Sequence, residues 1–466
     1  MRRKIQKFTL VIFIRTRFWE RSDQSRLRYY TTYSQSVLKL LYMKRINTSP
    51  ISGMQELLPS SQAVFDSAKH SLAQTFKAHG FQHIETPIID RTDILLAKAG
   101  GDTEKQIYKV VKTAETADDA DQALRFDHTV PLARYVVEHE NDLAFPFKVT
   151  QIGRNFRGER AQKGRFRELY QCDADVIGRG TLPIAYDAEV IATLYYALTS
   201  AFDLPPVLMR ISNRKILTGL LNALNLNNLS QEIFNIIDHV EKVTPEVTKE
   251  SLEELNIGSE DVVKITTFAD IHGSKSEIEK KLQTLGGIDD ATFKEGIKEL
   301  LEVLELLEQQ GLKDHYVADM RIVRGLDYYT GTVFEYILPD YANIGSICGG
   351  GRYENLASNF TDQVLPGVGG SIGLTRLFYI LGANNLIKET TEAPIDIAII
   401  PLSANEYNYA HQVADELREQ GKSVDIIFTD KKLGDKFKYA SKIAKQAIVI
   451  GEEEAKTKKY EVKDLF

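Results

Sequence analysis

The run 324–336 (RGLDYYTGTVFEY) places an arginine, a carboxylate and two adjacent tyrosines inside a segment with strong β propensity. In a strand, successive side chains point to opposite faces, so Arg324 and Tyr328, four residues apart, can face one cleft. A cation and a phenol aimed into one cleft suit a small polar ligand and a phosphoryl group in transfer. The pattern also leaves open an aromatic strand in a sandwich core with an arginine at its surface.

A second stretch, 154–175 (RNFRGERAQKGRFRELYQCDAD), interleaves arginines with carboxylates. β-forming runs at 145–152 and 170–177 predict two antiparallel strands joined by a loop around 161–164. Arginine forks bind phosphate oxygens in bidentate fashion, and a basic loop can reach a polyanion. A solvated charged hairpin remains open as an alternative, because charge runs usually lie at the surface.

Two glycine-rich segments could approach a ligand closely. In 345–356 (GSICGGGRYENL), three glycines before Arg352 predict a turn whose backbone can lie against a flat ligand. In 367–380 (GVGGSIGLTRLFYI), small residues precede a helix from about Leu374. Arg376 falls in the first turn of that helix, where an anion is favoured.

A fifth segment, 124–136 (LRFDHTVPLARYV), carries a carboxylate and a hydroxyl two residues apart. If this segment is extended, Asp127 and Thr129 point to the same side. Together they could hold an ammonium group.

The surrounding pattern predicts the elements that position these residues. A helix over 62–79 precedes a strand from Phe81 to Ile89, and another helix follows at 186–201. The chain is almost purely helical from about 213 to 311. After a polar linker, strands and helices alternate, which indicates βαβ units on a parallel sheet. These last elements are predicted at 396–400, 405–420, 423–428, 436–445 and 447–450.

Composition narrows the class of protein. The 466 residues allow two to four domains, and the net charge of -7 excludes a uniformly basic nucleic-acid coat. Cys172 and Cys348 lack CxxC spacing and the nine histidines are scattered, so we expect no disulfide framework and no metal site built from protein ligands alone. Free cysteines fit a reducing, cytoplasmic location. No apolar run is long enough for a membrane helix.

Residues 1–42 are rich in arginine and poor in acidic residues. That composition is typical of an organellar presequence. It also fits an upstream segment wrongly assigned to the protein, with the true start at Met43. We expect no stable fold there.

Five segments, which follow one another along the chain at 80–89, 154–175, 324–329, 349–354 and 367–380, together resemble the class II aminoacyl-tRNA synthetases. The segment 80–89 (GFQHIETPII) is similar to motif 1 of that class, in which Pro87 would lie at a dimer interface. The stretch 154–175 is similar to motif 2, and 367–380 to motif 3. The RGLDYY run and the GGGRYE sequence resemble the histidyl-tRNA synthetase family within that class. The resemblance covers about residues 48 to 466 and implies an enzyme that uses ATP, with Mg²⁺ bound to the substrate.

The resemblance implies a role for each candidate residue. Arg157 and Arg376 would bind the α- and γ-phosphates of ATP, and Glu159 would bind the adenine amine. Arg324 would stabilise charge on the α-phosphate as the histidine carboxylate attacks it. The predicted histidine-binding residues are Asp127, Thr129, Gln171, Asp175, Arg324, Tyr328 and Tyr329.

The implied partners are L-histidine, the histidine tRNA and a second copy of the chain in a homodimer. Arg160, Gln162 and Lys163 would contact the acceptor stem of the tRNA. The last domain resembles an anticodon-binding domain, with phosphate contacts at Lys431, Lys432, Lys436 and Lys438. Its chain ends at Phe466, and we expect it to lack a final helix.

Three positions depart from the pattern of the family. Thr375 replaces a usual glutamate before Arg376, and Leu169 replaces an aromatic residue that stacks on adenine. His128 replaces a glycine or leucine after Asp127. None removes a charged ligand, so we expect activity with altered ATP affinity.

The fold expected from these patterns is α+β: an antiparallel sheet core flanked by helices, a helical insertion and a C-terminal α/β domain. The predicted boundaries are 43–212 and 316–384 for the two halves of the core, 213–315 for the insertion, 385–392 for the linker and 393–466 for the last domain.

The resemblance implies a histidine–tRNA ligase, which forms histidyl-adenylate and pyrophosphate from histidine and ATP and then transfers histidine to the 3′ end of its tRNA. Two other functions stay open. One is a histidine-sensing regulatory paralogue, the regulatory subunit of ATP phosphoribosyltransferase, which lacks the anticodon domain and tends to lose the catalytic arginines. The other is a pseudo-synthetase that senses uncharged tRNA, normally joined to a kinase domain. This chain keeps Arg157, Arg324 and Arg376, and it contains no kinase signature.

Overall fold

The computed structural model describes residues 46–97, 102–114, 116, 120–162, 164–285, 287–323, 329–354, 356–387 and 394–465. Residues 46–51 contain no helix or strand. The expectations for the N-terminal 42 residues fall outside the described residues. So does 325–327, where a turn or bulge is expected if Tyr328 and Tyr329 both line one pocket.

Three sheets form among the described residues. The strands, numbered in chain order, are β1 (Gln82–His83), β2 (Ile89–Arg91), β3 (Lys109–Val110), β4 (Gln122–Leu124), β5 (Phe147–Phe156), β6 (Glu168–Ile177), β7 (Leu208–Asn213), β8 (His272–Gly273), β9 (Tyr316–Asp319), β10 (Thr332–Ile337), β11 (Cys348–Tyr353), β12 (Gly367–Ile372), β13 (Ile395–Pro401), β14 (Val424–Ile426), β15 (Ala444–Ile450) and β16 (Val462–Asp464).

The helices carry the rest of the regular structure. They are α1 (Pro59–Ala78), α2 (Thr92–Leu96), α3 (Asp102–Gln106), α4 (Thr129–Glu138), α5 (Ala185–Ala201), α6 (Arg214–Ala223), α7 (Ser230–Ile237), α8 (Pro245–Glu253), α9 (Ser259–Ala269), α10 (Lys275–Thr284), α11 (Ala291–Gln309), α12 (Leu374–Ala383), α13 (Tyr407–Glu419), α14 (Leu433–Ile443) and α15 (Glu452–Thr457). Short 3₁₀ turns lie at Asn227–Leu229, Val240–Lys242, Lys313–His315, Pro339–Ile344, Leu356–Asn359 and Ala404–Glu406.

The largest sheet has the strand order β1-β5-β6-β12-β11-β10-β7-β9-β8. Its centre is antiparallel, from β5 through β7, which confirms the predicted α+β class. β5 and β6 form the predicted hairpin and pair over ten residues, from Phe147 opposite Ile177 to Phe156 opposite Glu168. Side chains of β6 alternate between the core and the opposite face of the sheet, as the period of two requires.

The glycine triplet 349–351 forms the middle of β11, so the predicted turn is wrong. β11 pairs with both β10 and β12, which makes it a central strand. Glycine has low strand propensity, but here it permits close packing that a side chain would prevent. A Cβ at Gly350 would overlap the β12 backbone and the Phe334 ring.

The segment predicted as one strand from Phe81 to Ile89 is divided between two sheets. β1 pairs in parallel with β5, whereas β2 pairs with β4 in a small three-stranded sheet. Pro87 lies between β1 and β2, because proline has no N–H to donate to a ladder.

The helical segment between β7 and β9 shares one hydrophobic core with the large sheet. Leu300, Val303, Leu304 and Leu307 of α11 are buried in the same cluster as Ile191 of α5. The segment also contains β8, a two-residue strand that pairs with β9 at the sheet edge. The apolar faces of amphipathic helices must be buried, and here they pack on the core rather than only on one another.

The C-terminal sheet has the order β14-β13-β15-β16. β13, β14 and β15 are parallel, as the alternating pattern predicts, and β16 adds an antiparallel edge. Lys436 is 4% exposed and its Nζ donates to the Pro401 carbonyl at 2.6 Å, so its predicted role in phosphate binding is wrong. Lys431, Lys432 and Lys438 are exposed.

A buried ion pair ties α5 to β11. Arg352 donates to the Asp187 carboxylate from Nε at 3.1 Å and from Nη2 at 2.7 Å, and Nη2 also reaches the Leu182 carbonyl. Asp187 is fully buried, and burial raises the pKa of its carboxyl even though Arg352 opposes that shift. The pair therefore holds a helix on the sheet at a substantial desolvation cost.

We predict that Asp187→Ala lowers the free energy of unfolding by about 3–5 kcal/mol, because it leaves the Arg352 guanidinium buried without its counter-charge. Urea titration measures the change. The control is Lys456→Gln, which breaks an exposed pair with Glu452 and should cost less than about 1 kcal/mol. Similar losses in both variants would contradict the role given to the buried pair.

Candidate active site

A cavity of about 550 Å³ lies over the middle of the large sheet. Its floor is formed by β6, β10, β11 and β12, and its walls include the start of α4 and the residues after β5. Of the predicted residues, the structure brings together Asp127, Thr129, Arg157, Glu159, Gln171, Asp175, Tyr329 and Arg376.

Strand register explains how the floor can be both polar and open. Gln171, Asp173 and Asp175 alternate along β6 and point into the cavity. Across the sheet, Asp175 lies opposite Gly369 and Asp173 lies opposite Ser371. The small residues on β12 leave space for the carboxylates and for the cavity above them.

Gly369 is required by this geometry. A Cβ at this position would overlap the carboxylate of Asp175. Asp175 also accepts a hydrogen bond from the Tyr353 hydroxyl at 3.0 Å, so the carboxylate is held against the bare strand.

Three carboxylates are buried together: Asp127, Asp173 and Asp175 are 8%, 4% and 5% exposed. Burial raises the pKa of Asp127, and the Val130 backbone N–H and the Arg157 charge oppose that shift. Burial and the charge of Asp173 raise the pKa of Asp175 well above its usual range. A ligand with a positive charge or strong donors would relieve both effects.

Arg157 is fixed at the cavity wall by several contacts. Its Nη2 donates to Gln171 Oε1 at 3.1 Å, its Nε donates to the Phe126 carbonyl at 3.3 Å, and its guanidinium lies over the Phe126 ring at 4.6 Å. Asn155 Nδ2 donates to the same Gln171 oxygen at 3.0 Å. Arg157, Asn155 and Gln171 therefore share one hydrogen-bond network.

Arg376 also lines the cavity. Its Nη2 donates to the Ile344 carbonyl at 2.6 Å, whereas its Nε is buried with no hydrogen-bond partner among the described residues. Burial and the nearby charge of Arg165 lower the pKa of Arg376. Two neighbouring cations and an unused donor are groups suited to binding an anion.

Asp127 and Thr129 both line the cavity, but the segment is not extended as predicted. Thr129 is the first residue of α4, and Asp127 Oδ1 accepts from the Val130 backbone N–H at 3.1 Å. The carboxylate satisfies an unpaired N–H at the helix start, and this local interaction outweighs the strand-like sequence.

The remaining predicted residues lie in different places. Tyr329 is at the cavity, where burial and the charge of Asp175 raise its pKa. Arg160 and Gln162 are exposed in the loop between β5 and β6. Arg324, Tyr328 and Lys163 lie outside the described residues.

The sequence predictions omitted several cavity residues. Asp173 carries the clearest missed signal, because it alternates with Gln171 and Asp175 on β6. Ser371 lies on β12 and Tyr353 lies on β11, two strands for which the sequence argument considered the glycines but not these residues. Glu335 on β10 also lines the cavity, and its Oε1 accepts from Arg210 at 2.9 Å.

The three positions that depart from the family pattern, Thr375, Leu169 and His128, have different surroundings. Thr375 faces a second cavity of about 290 Å³, and its Oγ1 accepts from the Tyr170 N–H at 2.7 Å. Leu169 lines both cavities. His128 is 1% exposed, with Nδ1 3.1 Å from Asp173 Oδ2.

Within the described ranges, no cluster of three acidic, histidine or cysteine side chains has metal-binding geometry. Among the helices that the structure describes, none combines the length and apolar character needed to cross a membrane.

The sequence matches two family models. The Histidyl-tRNA synthetase model matches residues 53–377, and the Anticodon binding domain model matches residues 396–466. The histidine–tRNA ligase of Clostridium tetani is 42% identical, covering 90% of this chain and 94% of the relative. That of Xanthomonas axonopodis is 40% identical, covering 89% and 91% respectively.

Solved structures give the same family. The histidyl-tRNA synthetase from Nostoc superposes with a TM-score of 0.79 at 36% identity, covering 90% of this chain and 95% of that one. An ATP phosphoribosyltransferase regulatory subunit/histidyl-tRNA synthetase from Bacillus halodurans has a TM-score of 0.72 at 22% identity, covering 88% and 99%. At that identity the second likeness shows the fold alone.

We predict that Gly369→Ala displaces the Asp175 carboxylate and lowers the free energy of unfolding by about 1–3 kcal/mol, because the new methyl overpacks the floor. Gly382→Ala is the matched control. Gly382 is exposed in α12 with no atom within 4 Å of its added Cβ, so the change should be neutral or slightly stabilising. Denaturant titration and a crystal structure of each variant measure the outcome, and an unmoved Asp175 would refute the argument.

Proposed function

The chain belongs to the histidyl-tRNA synthetase family and is an aminoacyl-tRNA ligase for histidine, and we propose that the cavity over the large sheet forms its histidyl-adenylate. The observation that carries this proposal is that buried carboxylates and the guanidinium groups of Arg157 and Arg376 line one cavity. A zwitterionic amino acid and a triphosphate need groups of both charges.

Histidine would bind at the buried carboxylates. Asp127 and Thr129 would hold its ammonium group, since a buried carboxylate with a raised pKa gains most from a cationic partner. Asp175 and Tyr329, with Tyr328, would select the imidazole ring, which needs both a donor and an acceptor. Gln171, fixed by Arg157 and Asn155, would contact the amino acid between these groups.

ATP would bind at Arg157 and Arg376. Arg157 would hold the α-phosphate, and the unused Nε donor of Arg376 suits a γ-phosphate oxygen. Glu159, whose side chain is 24% exposed at the cavity, would accept from the adenine amine. Mg²⁺ would enter with the phosphates and neutralise their charge, and Glu335 supplies a carboxylate oxygen of the kind it prefers.

The first reaction is an in-line displacement. A histidine carboxylate oxygen attacks the α-phosphorus, the bond from that phosphorus to the bridging oxygen breaks, and pyrophosphate leaves with the electron pair. Arg157 would stabilise charge on the α-phosphate, and Arg324 would do so as well. The rigid contacts of Arg157 mean that little reorganisation is needed during the step.

The second reaction transfers histidine to the 3′ end of its tRNA. The exposed Arg160 and Gln162, with Lys163, would contact the acceptor stem. In the anticodon-binding domain, the exposed Lys431, Lys432 and Lys438 would contact phosphates.

The chain would act as a homodimer in the cytoplasm. Ile88 and Ile89, beside Pro87, are 44% and 45% exposed, and apolar exposure of this kind suits a subunit interface. The regulatory-paralogue alternative is less supported, because the chain retains an anticodon-binding domain and Arg157 and Arg376 both line the cavity.

We expect histidine-dependent exchange of pyrophosphate with ATP and aminoacylation of the histidine tRNA by the purified chain. Exchange isolates the first reaction, and aminoacylation tests both. Histidine binding without exchange would overturn the ligase proposal and favour a sensor.

Arg324→Ala should cut exchange by about two to three orders of magnitude while histidine affinity changes little, because the proposed contact is strongest in the transition state. Exchange kinetics and calorimetry separate the two effects. Arg160→Ala is the control, and it should affect aminoacylation but not exchange. Full exchange activity in Arg324→Ala would remove Arg324 from the mechanism.

A further inference from the structure

A series of hydrogen bonds along the cavity floor ends on a buried carboxylate. Gln171 Nε2 donates to Ser371 Oγ at 2.7 Å, and Ser371 Oγ donates to Asp173 Oδ1. On its other side, Gln171 Oε1 accepts from Arg157 and Asn155. These hydrogen bonds therefore connect the floor strands β6 and β12 to Arg157.

The donors and acceptors fix the direction of each hydrogen bond in this series. An ionised aspartate only accepts, so the single hydroxyl hydrogen of Ser371 must point to Asp173. The Ser371 oxygen then offers a lone pair to Gln171, whose amide nitrogen must face it. This orientation turns Gln171 Oε1 toward Arg157 and leaves the second N–H of Nε2 for a ligand.

We infer that Asp173 and Ser371 are positioning residues for histidine recognition, acting through the orientation of Gln171. This inference rests on the proposed function of the cavity. Neither residue has to contact the reacting atoms, because their effect reaches the substrate through the amide that they orient.

The buried side chain of His128 contacts Asp173. Its ring is 1% exposed, and Nδ1 lies 3.1 Å from Asp173 Oδ2, although the ring is not aligned for a regular hydrogen bond. A Cβ at Gly153 would lie 3.2 Å from Nε2, so the ring packs closely against this residue of β5. Gly153 is opposite Gln171 in the ladder, which places the His128 ring beside the strand position that Gln171 occupies.

The test compares Ser371→Ala with Ser371→Thr in pyrophosphate exchange. Ser371→Ala should raise the KM for histidine about tenfold, the value of one lost hydrogen bond, with the KM for ATP unchanged. Ser371→Thr keeps the hydroxyl on a strand that favours threonine and should restore a near-normal KM. An unchanged histidine KM in Ser371→Ala would overturn the inference, and so would an equal rise in both KM values.

Asp173→Asn gives a second, independent result. It should raise the histidine KM alone, and in the double variant with Ser371→Ala it should add little, because both act through one hydrogen bond. Fully additive effects would show that Asp173 does not act through Ser371. Tyr336→Phe, which loses a buried hydrogen bond to the Ile191 carbonyl, is the control and should leave both KM values unchanged.

Calorimetric histidine binding distinguishes this inference from the proposed function. If the unmodified chain binds histidine but exchanges no pyrophosphate, the ligase proposal fails while the affinity of Ser371→Ala still decides the positioning role. A normal affinity in that variant would overturn it.

Discussion

The site depends on buried negative charge that nearby arginines and hydrogen-bond donors compensate only in part. Asp127, Asp173 and Asp175 lie together under one cavity, and burial raises the pKa of the first and third. Moving a carboxylate out of water is costly unless donors or a counter-charge replace the lost hydration. The protein supplies a part of that replacement: a helix N–H, the Tyr353 hydroxyl and the Ser371 hydroxyl. In the proposed function, the ammonium group and the ring N–H of histidine would supply the rest.

The sheet makes this arrangement sterically feasible. Glycines on β11 and β12 remove the side chains that would fill the floor, and the Arg352–Asp187 pair holds α5 against the same strands. Central glycines weaken a strand, so the surrounding core must compensate. It does so through one continuous hydrophobic cluster that runs from α1 through the helical segment to α12.

Much of the site could be predicted from residue types in order along the chain. Arg157, Gln171, Asp175 and Arg376 were identified as ligand residues and lie together in the cavity. Their roles followed from the resemblance of the surrounding motifs to a known family, and the strands β5 and β6 followed from β-forming runs, which are a local property. The fold class and the parallel strands of the last domain were also predicted, because each depends on repeated patterns rather than on single residues.

The errors arose where a contact distant in sequence outweighs local preference. The glycine triplet resembles a turn, but it is a central strand because its neighbours pack too closely for side chains. Lys436 belongs to a basic run, but its Nζ is buried against the Pro401 carbonyl. Asp173 was missed as a site residue, since its importance lies in a partner almost 200 residues away, Ser371.

The most direct test is a crystal structure of the protein with a non-hydrolysable histidyl-adenylate analogue. The account predicts the amino group within hydrogen-bond distance of Asp127 and Thr129, the imidazole at Asp175 and Tyr329, and the phosphate at Arg157. An analogue bound with its phosphate at the carboxylates, or bound outside this cavity, would contradict it.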